Sequence, residues 1–543
     1  GGGILSEYDR EELERADAKL SPTARETMYQ QKFHLYRNLT KPSERLYLSF
    51  AKAGASGEAQ NSSYLINEIR KLFPEIPVRD IEKEEKPEEK LEMPRSGEAL
   101  FLEELGKAAE GEMNPLFEEL YRWYAAHPEA GIPAETYRKA AFLRCADGVI
   151  GRSAASALYG DTLKNSATRL EKYAACAFAH FMEFGLQIRD RDQYELKAAD
   201  MGTVMHEALE KFSKKLQENG ETWKTVGDDT RDRLIEECVE ETMADYGNTI
   251  FQSSSRNQYR IIRVKRILKR TVWALQQQIR QGEFEPGEFE VSFSMEDSLS
   301  AINIDLSEHE KMRLRGRIDR VDLCETDDKV YVKIIDYKTG NTSLDLVALY
   351  YGLQLQLAVY LDAAVELEQK KHPGKLVEPA GVFYYHIDDP ILDQEEDETD
   401  EAWGRRMLKA LRMDGLVNAD RKVVELLDRV LEDGTTSDVI PVGKKKDGSY
   451  TGYSKVASSE QFNVIRTYTR KKVREIGEGI FSGNVKISPF QRDGATACAY
   501  CEYQGICGFD QKIQGYEYRK LKGMDTELLM KAMQETAQRD QKE

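Results

Sequence analysis

The chain has 543 residues, with 78 Lys and Arg against 96 Asp and Glu, a net charge of -18 and 40% hydrophobic residues. Such a length calls for two to four folding units, and the acidic balance excludes a generally sticky nucleic-acid binder, so any phosphate-binding surface must be local. There is no run of 18 apolar residues and no signal sequence, which predicts no membrane contact and a cytoplasmic location.

The first residue is Gly1, and Gly1-Gly-Gly-Ile-Leu-Ser runs straight into a charged helix, as expected of a fragment of something longer. Residues 1 to about 80 alternate helix-like charged segments with Arg45-Leu-Tyr-Leu-Ser-Phe, which predicts a short buried strand. A tract from Asp80 to Pro94, rich in Glu, Lys and Pro, reads as a linker, and helical segments follow to about residue 160. No Gly-x4-Gly-Lys-[Ser/Thr] loop occurs, so the chain is not read as an ATPase.

From Ser166, Thr168 and Glu171 have the spacing of a capping box. Leu170, Tyr173, Ala177, His180 and Phe181 recur at helical spacing, predicting a buried helix with Cys176 as a small core residue. Gly202-Thr-Val-Met-His206-Glu-Ala-Leu-Glu210 is amphipathic; one helical histidine is ordinarily a core or surface residue, and Glu210 lies one turn on along the same face. Between Arg256 and Arg280, Arg260, Arg263, Lys265, Arg266, Lys269 and Arg270 alternate with apolar residues, forming either a local basic face or a solvated helix flank.

The most informative stretch is Arg315 to Gly340. It places Asp319 on one apolar run and Asp336 and Lys338 on the next, two residues apart. On a strand, residues i and i+2 project together, so Asp336 and Lys338 share a face and Tyr337 turns away. Ile334 and Ile335 predict a strand covered on both faces, where a carboxylate is costly unless paired or metal-bound. Two aspartates and a lysine so placed suit metal-assisted phosphodiester hydrolysis: carboxylates hold a hard cation, and the ammonium orients water or neutralises phosphate. Gln356 and Tyr360 follow, four apart on an otherwise apolar helix. An acidic loop near Asp393 to Glu401 and a Lys444-Lys-Lys-Asp-Gly turn interrupt the later chain, and the charged tail reads as helical.

Seven cysteines are present, an odd count that argues against a disulfide framework. Cys498, Cys501 and Cys507 fall in one compact, turn-rich segment, which points to a metal or iron-sulfur centre. A fourth ligand must come from Cys145, Cys176, Cys238 or Cys324, of which Cys176 lies in the most ordered segment.

Together these motifs resemble the RecB-type branch of the PD-(D/E)XK nucleases, and most closely the nuclease subunits of bacterial AddAB-type helicase-nucleases. In that family a cysteine after a Ser-x-[Ser/Thr]-Arg-Leu-Glu-x-Tyr segment joins a C-terminal Cys-x2-Cys-x5-Cys around a 4Fe-4S cluster. Both halves occur here, with Ala177 where the family usually has proline. The resemblance implies an α/β fold, a mixed central sheet flanked by helices. It implies a nuclease domain over 161–515, after a helicase-like remnant and linker (1–95) and a helical connector (96–160), and before a helical tail (516–543). It makes His206, Asp319, Asp336 and the carbonyl of Tyr337 ligands of Mg2+ or Mn2+. Lys338 becomes the catalytic lysine, Gln356 and Tyr360 hold the DNA strand, and Glu210 and Glu290 support the metal site.

The function implied is an exonuclease on single-stranded DNA ends, on the 5' strand, in double-strand break resection and recombinational repair. An AddA-like subunit is the expected partner. The alternatives are a stand-alone iron-sulfur exonuclease and a catalytically silent DNA-binding scaffold.

Overall fold

The computed structural model describes residues 10, 12–13, 15–16, 21–54, 58–80, 91, 93–109, 111–112, 115–143, 148–189, 191, 196–246, 251, 253–293, 299, 303–307, 310–393 and 398–539. It divides into two compact units, Gly1–Ala134 and Glu135–Glu543. Cys145 and most of the charged tract after Asp80 lie outside the described residues.

The first unit contains α1 (Ala24–Thr40), α2 (Tyr64–Leu72), α3 (Pro94–Ala109) and α4 (Pro115–Ala126). Thr23 and Glu26 form a reciprocal capping box at α1, and α3 and α4 share a core of Leu100, Phe101, Phe117, Leu120 and Tyr124. Residues 45–50 are not the expected buried strand. They are irregular and exposed, Tyr47 at 81%. An alternating pattern becomes a strand only beside another edge, and among the described residues nothing pairs with it.

In the second unit, α5 (Ala134–Ala141) and α6 (Arg152–Tyr159) precede a small sheet of β1 (Thr162–Asn165), β3 (Asn303–Asp305) and β4 (Lys311–Leu314). The main sheet holds β2 (Glu285–Phe293), β5 (Gly316–Glu325), β6 (Lys329–Lys338), β7 (Leu376–His386), β8 (Asp414–Asn418) and β9 (Val456–Ala457), ordered β2-β5-β6-β7-β8-β9. It is mixed: β2, β5 and β6 run antiparallel in turn, β7 is parallel to β6 and antiparallel to β8, and β9 is parallel to β8.

One face of this sheet packs on α9 (Ala198–Glu218), α10 (Asp228–Asp245), α11 (Ser255–Gln281), α14 (Asp400–Ala410) and α15 (Arg421–Leu427). On α9, Val204, Met205, Ala208, Leu209, Phe212 and Leu216 supply the apolar stripe, recurring every three to four residues. The other face packs on α7 (Ala167–Ala175), α13 (Gln356–Lys371), α16 (Ser459–Phe481) and α18 (Thr526–Arg539), with α12 (Leu346–Tyr350) leading into α13. The C-terminal segment is thus part of the body: Leu529, Met530 and Met533 of α18 are buried in this core.

Two helices pass from β1 toward the cysteines: α7, then the single turn α8 (Ala177–His180), which continues as π-helix over Phe181–Gly185. The helix expected through Cys176 is interrupted there. Cys176 is extended, φ -162 and ψ 117, ending α7 and starting α8. The cap of α7 is also not Thr168: Ser166 Oγ accepts the Arg169 N–H, and Glu171 points elsewhere. The remaining elements are β10 (Phe490–Arg492), β11 (Ala495–Thr496), the turn α17 (Gln504–Cys507) and β12 (Arg519–Lys520).

Candidate active site and cysteine cavity

The end of the β5–β6 hairpin assembles the site. Ladder pairing runs to Arg320 opposite Ile335, and beyond it the Asp319 carboxylate takes over, Oδ2 accepting the Tyr337 N–H at 2.7 Å. The same Oδ2 lies 3.3 Å from His206 Nδ1 on α9. Glu290 stands on β2 between Phe289 opposite Arg320 and Val291 opposite Ile318, which brings it alongside Asp319. Its φ is +51, a strained value for a residue with a side chain. His206, Glu290 and Asp319 each offer a donor atom within 4.8 Å of the others.

Asp336 is 1% exposed and held from two sides. Lys338 Nζ is 2.5 Å from its Oδ2, and Gln356 Nε2 donates to its Oδ1 at 2.8 Å. Gln356 Oε1 accepts from Lys338 Nζ at 2.9 Å, and Gln356 Nε2 is 3.1 Å from Tyr360 Oη. Tyr337 turns to the opposite core, beside Tyr385, as alternation requires. Asp336 belongs with Lys338 and Gln356 in this arrangement rather than with the close donor group.

Electrostatics mark a surplus of negative charge. Burial, then the Asp319 charge, pushes Asp336 up to about 6 against the pull of Lys338. Burial and Asp319 likewise push Glu290 up to about 7, although Arg317 is ion-paired with it. Burial alone would lower His206, and the Asp319 carboxylate reverses it. Hard oxygen donors that raise one another, joined by an imidazole, suit a divalent cation. The residues present therefore fit Mg2+ or Mn2+.

Glu210 does not hold the imidazole, as its carboxylate pairs with Lys214 at 2.6 Å. The basic stretch forms α11, but much of its charge is spent: Arg266 and Arg270 bind Asp389, Lys265 binds Glu240, and Lys269 binds Glu236. Sequence reasoning missed Glu171 altogether. Its Oε1 accepts the Leu355 and Gln356 N–H groups at 2.6 and 3.1 Å, from 184 and 185 residues away.

Cys176, Cys498, Cys501 and Cys507 line one small cavity with Phe178 and Pro489. Burial, and after it the other three thiols, push the Cys498 thiol up, opposed by Tyr518. Arg519 donates to the Ala174 carbonyl, bringing a guanidinium beside Cys176. Tyr503 Oη donates to the Ile188 carbonyl at 2.9 Å, closing the C-terminal knuckle onto the α8 segment. Among the described residues the four sulfurs form no close group of the kind made by His206, Glu290 and Asp319. Cys238 and Cys324, the other described candidates, are buried and do not line this cavity.

A mixed sheet between helical layers, with acidic, lysine and histidine groups at one hairpin end, defines a metal-dependent nuclease fold. The chain belongs to the PD-(D/E)XK nuclease superfamily, whose model matches residues 164–508. Over 97% of its length it is 42% identical to the B subunit of the ATP-dependent helicase/deoxyribonuclease of Lachnoclostridium phytofermentans, covering 45% of that protein. The corresponding B subunits of Alkaliphilus metalliredigens and Clostridium acetobutylicum are 34% and 33% identical over 99% and 98% of the chain, with 47% and 46% of theirs covered. The chain thus spans about half the length of the curated relatives it matches.

Proposed function

We propose that this chain is the DNA exonuclease part of a helicase-nuclease, hydrolysing phosphodiester bonds of single-stranded DNA with Mg2+ or Mn2+. One observation carries the reading: His206, Glu290 and Asp319 converge within 4.8 Å beside an Asp336–Lys338 pair. The cation would be held by those three side chains, with Asp336 and the Tyr337 carbonyl as the further ligands the family pattern supplies. When bound, it contributes Lewis-acid stabilisation of phosphate charge and lowers the pKa of water.

Lys338 holds the attacking water and offsets the negative charge that builds on the phosphate. Gln356 fixes both Lys338 Nζ and Asp336 Oδ1, and Tyr360 holds the Gln356 amide in that rotamer. The water oxygen bonds to phosphorus as one ester P–O bond breaks. Gln356 and Tyr360 also face the DNA strand.

The relatives are named as one subunit of a helicase/deoxyribonuclease, which supports a cytoplasmic partner of the AddA type and a task in end resection and recombinational repair, on the 5' strand. The domain limits follow the same reading: a helicase-like remnant and linker over 1–95, a connector over 96–160, the nuclease over 161–515 and a tail over 516–543. The cysteines fit a 4Fe-4S cluster as a structural staple. Four thiols share one cavity, and they are not drawn together around one small ion, as zinc with ~2.3 Å bonds to sulfur would require.

The test is Mg2+-dependent cleavage of end-labelled single-stranded DNA by the purified chain. Activity that survives unchanged in Asp336→Ala or Lys338→Ala would refute the assignment. Absorbance at about 400 nm with matching iron content tests the cluster, and stoichiometric zinc without iron would overturn it.

A further inference from the structure

The helix that carries Gln356 and Tyr360 starts without a cap of its own. Leu355 stands at its N-cap position, and its side chain has no acceptor to offer. The first backbone N–H groups of a helix have no partner inside it and carry the positive end of its dipole. Here the partner comes from another helix. Glu171 Oε1 on α7 accepts both the Leu355 N–H and the Gln356 N–H.

The carboxylate is largely buried and close to Lys338 and Asp336; burial pushes it up to about 7 against the two N–H donors. Gln356 therefore has its backbone anchored by Glu171 while its side chain spans Lys338 Nζ and Asp336 Oδ1. Rotation or retreat of this first turn would withdraw the amide from both. Five residues beyond Glu171, α7 ends at Cys176, so one short helix connects the cysteine cavity to the hydrolytic hairpin.

We propose that Glu171 is a positioning residue of the hydrolytic centre, capping α13 from a distance and thereby setting the Gln356 amide between Lys338 and Asp336. It touches no reacting atom. This rests on the nuclease reading above, and the two fail differently: a parent chain without cleavage sinks the nuclease reading, whereas an active parent indifferent to Glu171 sinks this one.

The experiment compares Glu171→Ala, Glu171→Gln, Gln356→Ala and the Glu171→Ala/Gln356→Ala double variant in the full chain, by single-stranded DNA cleavage with Mg2+, melting temperature and iron content. The expected result is a kcat about 10- to 100-fold lower for Glu171→Ala with KM within about 2-fold. Glu171→Gln keeps an oxygen acceptor and is expected within about 3-fold of the parent. The double variant is expected to be no slower than the worse single variant, because both changes remove one constraint. Should the alanine variant not fold, Glu171→Asp carries the same test, since it keeps the charge but withdraws it by one methylene. Alanine and aspartate variants within 2-fold of the parent, or losses that multiply in the double variant, would overturn the proposal.

Discussion

Asp319 Oδ2 accepts the Tyr337 backbone N–H at 2.7 Å, at the point where the β5–β6 ladder ends. One carboxylate therefore closes the hairpin and faces the imidazole of His206. Asp319→Ala is expected to abolish cleavage and also to cost about 1–3 kcal/mol of stability, since the Tyr337 N–H loses its acceptor in a buried place. Chemical denaturation beside the cleavage assay measures both. An inactive variant as stable as the parent would show that the hairpin does not depend on this bond.

Glu290 sits with His206 and Asp319 but away from Lys338, so its part is in holding the cation. Glu290→Gln is expected to raise the Mg2+ concentration for half-maximal cleavage about 10- to 100-fold, with less effect on the rate at saturating Mg2+. A metal titration that superimposes on the parent's would remove Glu290 from the site.

Acidity provides a test that needs no substrate. The Glu171 carboxyl ionises near 4.5 when free and about 7 in the folded chain. Between those values the folded state keeps a proton that the unfolded state has lost, so stability falls as pH rises through that window and stays reduced above it. The amide that Glu171→Gln introduces has no proton to lose. That variant is expected to gain up to about 3 kcal/mol over the parent by pH 8, and nothing at pH 4. Parallel stability curves across this range would contradict the burial of the charge.

Cys176 is more than 300 residues from Cys507, yet both line one cavity. Cys176→Ser or Cys507→Ser is expected to lower iron content and the melting temperature together, since closing so long a loop restricts the unfolded chain by about 5 kcal/mol on loop-entropy reasoning. Full iron content in both variants would exclude these two ligands.

On α11, Lys265 and Lys269 pair with Glu240 and Glu236. Replacing both by Ala is expected to change DNA affinity less than about 2-fold and to leave its salt dependence intact. A salt slope reduced by about two would show that these lysines reach phosphate instead.

The sequence made some of this plain and hid the rest for identifiable reasons. Asp319, Asp336 and Lys338 were readable because strand alternation fixes which side chains share a face, and Gln356 and Tyr360 because a helical turn brings them together. The mixed sheet and its helical layers followed from the resemblance. Glu171 was hidden because its partner is 184 residues away and is a backbone, which leaves no side-chain pattern. Its spacing from Thr168 suggested a local cap instead. The break at Cys176 was equally silent, since Ala177 continues a helical pattern in which proline would have announced the interruption. Apolar residues at 45–50 looked like a strand because periodicity records what a segment can pair with, and not whether a neighbour is there.

The strand bearing Asp336 and Lys338 lies inside the sheet, hydrogen-bonded to β5 on one side and β7 on the other. It has no free edge, so no polynucleotide can lie along it as an added strand. With helices over both faces, the open approach is past the tips of β5 and β6, where a chain must present its phosphates one after another to a fixed point.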